Sequence, residues 1–112
     1  MQIELEDVAG VTVATLFGEL DGRTAPDVQA ALLQLPEPHR KLLLDLSGVT
    51  YISSAGLRAL LMLYRQMANG EGRVALAGLA ESIRDMMAVT GFLDFFDDYP
   101  TRQDGVAALS AV

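Results

Sequence analysis

Ser53 and Ser54 stand where an apolar run, Leu42 to Leu46 broken only by Asp45, gives way to a stretch of helical period. Leu57, Leu60, Leu61, Tyr64 and Met67 recur at i, i+3, i+4, i+7 and i+10 on one face of a helix that Asn69-Gly70 stops. A serine ahead of such a helix accepts a hydrogen bond from an orphan N–H of the first turn and caps it. Two serines leave a hydroxyl to spare, at the positive end of a helix of about 24 Å if Ser54 to Asn69 rise ~1.5 Å each. Gly56, inside that first turn, costs roughly 1 kcal/mol relative to alanine and leaves bare backbone where something can approach. Hydroxyl, helix terminus and bare backbone together suit a phosphate. On the residues alone, capping by itself is the favoured account of the two serines.

Other chemistry fits less well. The chain's one histidine, His39, precedes the central apolar run whereas Ser54 follows its far end, so a Ser-His-acid triad is not expected. The Gly-x-Ser-x-Gly elbow of hydrolases is absent. Gly70-Glu-Gly-Arg-Val-Ala75 matches a degenerate dinucleotide pattern but leaves a helix for a strand, the reverse of what a phosphate needs. Asp45 is placed like a receiver phosphoacceptor, yet the single lysine, Lys41, begins the same strand and occupies the wrong rim, so a structural hydrogen bond is expected of Asp45. Asp94, Asp97 and Asp98 have no histidine or cysteine beside them and read as a solvated turn rather than a metal site. Met86 and Met87 are expected in the core, and Met62, off the buried stripe and near Arg58 and Arg65, on the surface where a partner can dock.

The elements that must position the serine pair follow from the same patterning. Gln2 to Asp7, with Ile3 and Leu5 facing one way, and Val11 to Phe17 predict an antiparallel hairpin turning at Val8-Ala-Gly10. Gly18 to Arg23 reads as a loop, and Thr24 as the cap of a helix that admits Pro26 and Asp27, buries Val28, Ala31, Leu32 and Leu35, and ends at Pro36-Glu-Pro38. The run Leu42 to Leu46, closed by Ser47-Gly48, reads as a strand buried on both faces. Arg73 to Ala77 predicts another strand, Ser82 to Val89 a helix closed by Thr90-Gly91, and Leu93 to Asp97 a last short strand. Thr101-Arg-Gln-Asp104 resembles a capping box opening a helix through Leu109. The result is a single α/β domain: a mixed, mostly parallel sheet with an antiparallel N-terminal strand, covered by about four helices. In such sheets function gathers beyond the carboxyl ends of strands, which brings Asp21 and Thr24 to one rim with Ser53 and Ser54.

A chain of 112 residues supports one core, and 51% apolar content excludes disorder. A net charge of −7 argues against nucleic acid and anionic lipid and favours a partner with a basic patch. Without cysteine there are no disulfides, thiolate metal sites or thiol nucleophiles, which is compatible with a reducing cytoplasm. The N-terminal segment has acids where a signal peptide has bases, and no apolar run approaches the ~20 residues a span requires. A soluble, intracellular protein is expected.

Tyr51-Ile-Ser-Ser-Ala-Gly-Leu-Arg58, preceded by Leu44-Asp-Leu-Ser-Gly-Val49, resembles the signature of STAS domains, specifically the bacterial anti-sigma factor antagonists. Gly18-Glu-Leu-Asp21 followed by Thr24-Ala-Pro26 is similar to that family's second marker, and the likeness covers essentially the whole chain, residues 1–112, as one STAS domain. The resemblance implies a cytoplasmic, non-enzymatic partner switch in transcription regulation and stress response. The unphosphorylated form would bind an anti-sigma factor that is also a serine kinase, freeing a sigma factor. Phosphorylation of Ser54 (alternatively Ser53, since many members carry Asp at that place) would release it, and a PPM-type phosphatase would restore the hydroxyl. ATP would be used in trans by the kinase, with no cofactor or metal in the domain itself. The partner-binding residues implied are Asp21, Thr24, Ser53, Ala55, Gly56, Leu57, Arg58 and Met62, on a monomer or weak dimer. The alternative within the same resemblance is a structural STAS subunit of a membrane lipid or anion transport complex.

Overall fold

A computed structural model describes residues 1–33, 41–70 and 72–112. His39, the expected helix end at Leu35 to Pro38, and Glu71 lie outside the described residues. The chain opens with the expected hairpin, β1 (Gln2–Val8) antiparallel to β2 (Val11–Leu20). Ala9 and Gly10, both at positive φ, form the two-residue turn whose twist matches that of the strands. Helix α1 (Ala25–Leu33) leads toward β3 (Lys41–Ile52), which is followed by α2 (Ser54–Asn69) and β4 (Arg73–Ala77). Then come α3 (Glu81–Thr90), a 3₁₀ turn (Phe92–Phe95), β5 (Asp97–Tyr99) and α4 (Arg102–Ser110). The five strands stand in chain order, with β2 to β5 parallel.

Three local expectations are corrected. Gly18 to Leu20 is not loop but the end of β2, and β3 does not stop at Ser47-Gly48 but runs on to Ile52. The two extensions hold each other: Gly18 pairs with Val49 after a first shift of register, and Glu19 with Tyr51 and Leu20 with Ile52 after a second. Gly18, at φ +108°, provides the backbone conformation for the second shift. Leu93 to Phe95 is not strand but 3₁₀ turn, and β5 begins only at Asp97. Tyr64 packs edge-on against both Phe95 and Phe96, at 5.8 and 5.6 Å, and this contact favours the turn.

The sheet divides the core in two. On one face Leu16, Leu42, Leu44 and Leu46 meet Val28 and Leu32 of α1, Leu57 and Leu60 of α2, and Ile83 and Met87 of α3. On the other, Val11, Val13, Leu43, Ala75 and Ala77 meet Leu109 of α4. β3 therefore buries both faces, as its apolar run requires. Asp45, buried within it, has its carboxylate fully used: Oδ1 accepts from the Ser47 hydroxyl at 2.7 Å and N–H at 3.0 Å, and Oδ2 from Arg102 Nε at 3.0 Å. The structural role expected of Asp45 holds.

Candidate functional site

β2 and β3 end side by side, and α2 begins one residue beyond β3. Ser53 is the joint. In extended conformation (φ −87°, ψ 173°), it donates its N–H to the Leu20 carbonyl at 2.9 Å, tying α2's start to the end of β2. Its hydroxyl oxygen accepts from the Gly56 N–H at 3.1 Å, and its carbonyl from the Leu57 N–H at 2.9 Å. Ser53 is thus the cap. Ser54 is the first helical residue and exposed, and among the described residues no hydrogen bond engages its hydroxyl.

The loop after β2 folds onto this terminus. Asp21 Oδ1 accepts from the N–H groups of Arg23 at 2.9 Å and Thr24 at 3.2 Å, and Arg23 Nη2 lies 3.6 Å from Oδ2. The Arg23 N–H above all, outweighing a desolvation that acts the other way, holds the Asp21 carboxyl below its ordinary range. Thr24 stands at the start of α1, its carbonyl accepting from the Val28 N–H at 3.3 Å, but its hydroxyl does not cap the helix. Its hydroxyl donates to the Glu19 carbonyl at 2.7 Å and accepts from the Asp21 N–H at 2.9 Å, so it closes the loop instead. A β-carbon on Gly22 would stand 3.6 Å from that of Ala55, so the loop rests on the first turn of α2. The common rim of Asp21, Thr24 and the serine pair is therefore real.

Two residues expected to meet a partner do not line the surface. Leu57 is buried in the core, and Gly56 faces inward. A β-carbon at position 56 would lie 2.4 Å from the Leu20 carbonyl oxygen, so the glycine makes room for β2 and not for a visitor. What remains outside is a stripe along α2 at i, i+4 and i+8: Ser54, Arg58 and Met62, all exposed, with Ala55 half-buried beside them. Met62 also meets α1, its Sδ 3.9 Å from Gln29 Nε2.

The Leu20 carbonyl, a central part of this joint, carries no signal in sequence because a backbone group of any residue can serve. Among the described residues no group of three His, Cys, Asp or Glu is arranged to hold a metal. Asp98 is paired with Arg84 at 2.8 Å. A cleft of about 430 Å³ lined by Tyr64, Arg73, Phe95 and Asp97 lies beside the other end of α2 and takes no part in the serine site.

The family model of the STAS domain matches residues 2–105. BtrV of Bordetella bronchiseptica, named as an anti-sigma factor antagonist, is 31% identical over 109 residues, spanning 96% of this chain and 94% of that protein. The crystal structure of an anti-sigma factor antagonist from Mycobacterium paratuberculosis superposes with a TM-score of 0.84 at 30% identity, over 96% of this chain and 92% of the other. A sulfate transporter family protein from Wolinella succinogenes shares the fold, with a TM-score of 0.83 at 16% identity over 91% of this chain and 86% of the other.

Proposed function

The chain belongs to the STAS domain family, and from that premise we propose that it is an anti-sigma factor antagonist operated as a phosphorylation-controlled partner switch. The unphosphorylated domain binds an anti-sigma factor that is also a serine kinase, in the cytoplasm, and so frees a sigma factor. The kinase transfers a phosphoryl group from its own ATP to Ser54, the complex parts, and a PPM-type phosphatase returns the hydroxyl. The domain is substrate and binding module, and contributes no catalytic group or cofactor.

One observation supports this above the rest: of two adjacent serines, one is spent on the cap and the other stands exposed at the helix terminus. A phosphoryl group there adds ~1.5 to 2 negative charges, which the helix end accepts without refolding. Around it the partner would meet Ala55, Arg58 and Met62 on one side and the Asp21–Thr24 loop on the other. A hundredfold loss of affinity needs only ~2.7 kcal/mol. Desolvating a dianion against a closely fitted surface exceeds that without any conformational change.

The test is a pull-down with the candidate anti-sigma factor, comparing native protein, Ser54→Ala and Ser54→Asp. Ser54→Ala is expected to bind at native strength and Ser54→Asp at least tenfold more weakly; equal binding by both would refute the switch. Mass spectrometry after incubation with the kinase and ATP is expected to find the phosphoryl group on Ser54, and modification of Ser53 alone would reassign the acceptor. Among the described residues no helix is long and apolar enough to cross a membrane. Copurification with a membrane transport ATPase and no phosphorylation by any such kinase would instead favour a structural subunit.

A further inference from the structure

The second face of the sheet is covered along only part of its length. α4 begins at Arg102, whose guanidinium meets Glu6, Thr15 and Asp45, and runs toward the amino end of β3, where Lys41 Nζ donates to the Val112 carbonyl at 2.7 Å. Among the described residues no element covers this face toward the carboxyl ends of β2 and β3, where Phe17, Glu19 and Tyr51 are exposed. Cross-strand partners share a face. Glu4 pairs with Thr15 and Gln2 with Phe17, so these side chains stand on the side that Arg102 occupies. Leu20 and Ile52 are buried on the opposite side, which turns their neighbours Glu19 and Tyr51, themselves paired, to the same open surface.

Two aromatic rings are left in solvent there: Phe17 is 37% exposed and Tyr51 52%. Phe17 lies over the bare backbone of Gly48, where a β-carbon would meet the ring at 2.6 Å. Each ring has an exposed acid near it in the register: Glu19 lies directly across from Tyr51, and Glu4 lies diagonal to Phe17, its carboxylate accepting from the side-chain amide of Gln2 at 3.2 Å. Aromatic faces and carboxylates attract the same thing, a cation stripped of part of its water. A second copy of this chain is the wrong occupant, since it would bring the same acids and a further charge of −7. Arginine fits better than lysine, because its planar, weakly hydrated guanidinium stacks on a ring while bonding a carboxylate.

We propose that this uncovered end of the sheet, centred on Phe17 and Tyr51 and edged by Glu4 and Glu19, docks an arginine-rich segment of a partner protein. It lies across the sheet from α2, on the opposite face from Leu57 and Leu60.

The test is a titration of the ¹⁵N-labelled full chain with a blocked hexa-arginine peptide, followed by amide shifts. The expected result is a joint shift of residues 17–19 and 48–51. Tyr51→Ser and Glu19→Gln, both changes of exposed side chains, should each weaken binding about three- to tenfold, with hexa-lysine weaker than hexa-arginine by a similar factor. Melting curves of both variants within the native range would establish that the fold is intact. Shifts centred instead on Asp94 to Asp98, an unchanged Kd in Tyr51→Ser, or equal binding of the lysine peptide would overturn the assignment. So would a dimer in sedimentation that Tyr51→Ser disperses, which would give the surface to a second copy.

Discussion

The N–H of Ser53 donates to the carbonyl of Leu20 at 2.9 Å, and through that bond the end of β2 and the start of α2 become one structure. The approach is close enough that only glycine fits at position 56, where a methyl group would stand 2.4 Å from the same carbonyl oxygen. Gly56→Ala is therefore expected to lose about 2 kcal/mol, an overpacking cost of roughly 3 kcal/mol offset by about 1 kcal/mol of helix propensity. Urea denaturation checks it: the midpoint should fall with an unchanged slope. A variant as stable as the native protein would mean that the two elements can part freely.

The division of labour between the serines predicts opposite sensitivities. Ser53→Ala removes the acceptor of the Gly56 N–H and should cost about 1 kcal/mol. Ser54→Ala, at an exposed position, should stay within about 0.5 kcal/mol of native stability. Equilibrium unfolding of the two single variants decides the matter, and the reverse order would transfer the cap to Ser54.

Release of a partner by charge differs from release by unfolding, and stability separates the two. An acid at the first position of α2 interacts favourably with the helix terminus, by about 0.3–1 kcal/mol at low ionic strength. Ser54→Asp, and the phosphorylated protein, should therefore melt at or slightly above the native temperature, with the difference shrinking as salt is added. A melting temperature lowered by several degrees would show that modification disrupts the domain and would undermine the local mechanism.

The features legible in sequence are those whose causes are local. The bounds of α2 follow from a serine cap, a 3.6-residue apolar period and Asn69-Gly70; those of β4 from the short apolar run Val74 to Ala77. Thr101 does cap α4, its hydroxyl accepting from the Asp104 N–H at 3.1 Å. Where reading failed, the cause lies elsewhere in the chain. Ser47-Gly48 looks like a strand's end, and only the tail of β2 keeps β3 extended beyond it. Gly56 looks like room left for a partner, whereas the occupant is Leu20. The Thr24 hydroxyl looks like a cap until the Glu19 carbonyl claims it. For Asp45 a structural bond was foreseeable, but not its partner, since Arg102 lies 57 residues along the chain.

That last pair contributes to how the fold responds to acid. Burial acts to raise the Asp45 pKa, but the bonds from Ser47 and the Arg102 guanidinium outweigh it and hold the carboxyl below its ordinary range. An unfolded aspartate takes up its proton near pH ~3.9, before the folded one does. The stabilisation is thus fully present above about pH 5 and drains away as pH falls below about 4, toward the folded pKa. Asp21, whose carboxyl is also held low, acts with the same sign from an exposed loop. Asp45→Asn should cost about 2 kcal/mol at neutral pH, less than a fully buried pair would lose because the Arg102 side chain is 33% exposed. It should also flatten the decline of stability between about pH 4 and 2. Urea midpoints of both proteins across that range provide the measurement, and parallel curves would mean that Asp45 is not the carboxylate through which acid loosens the sheet.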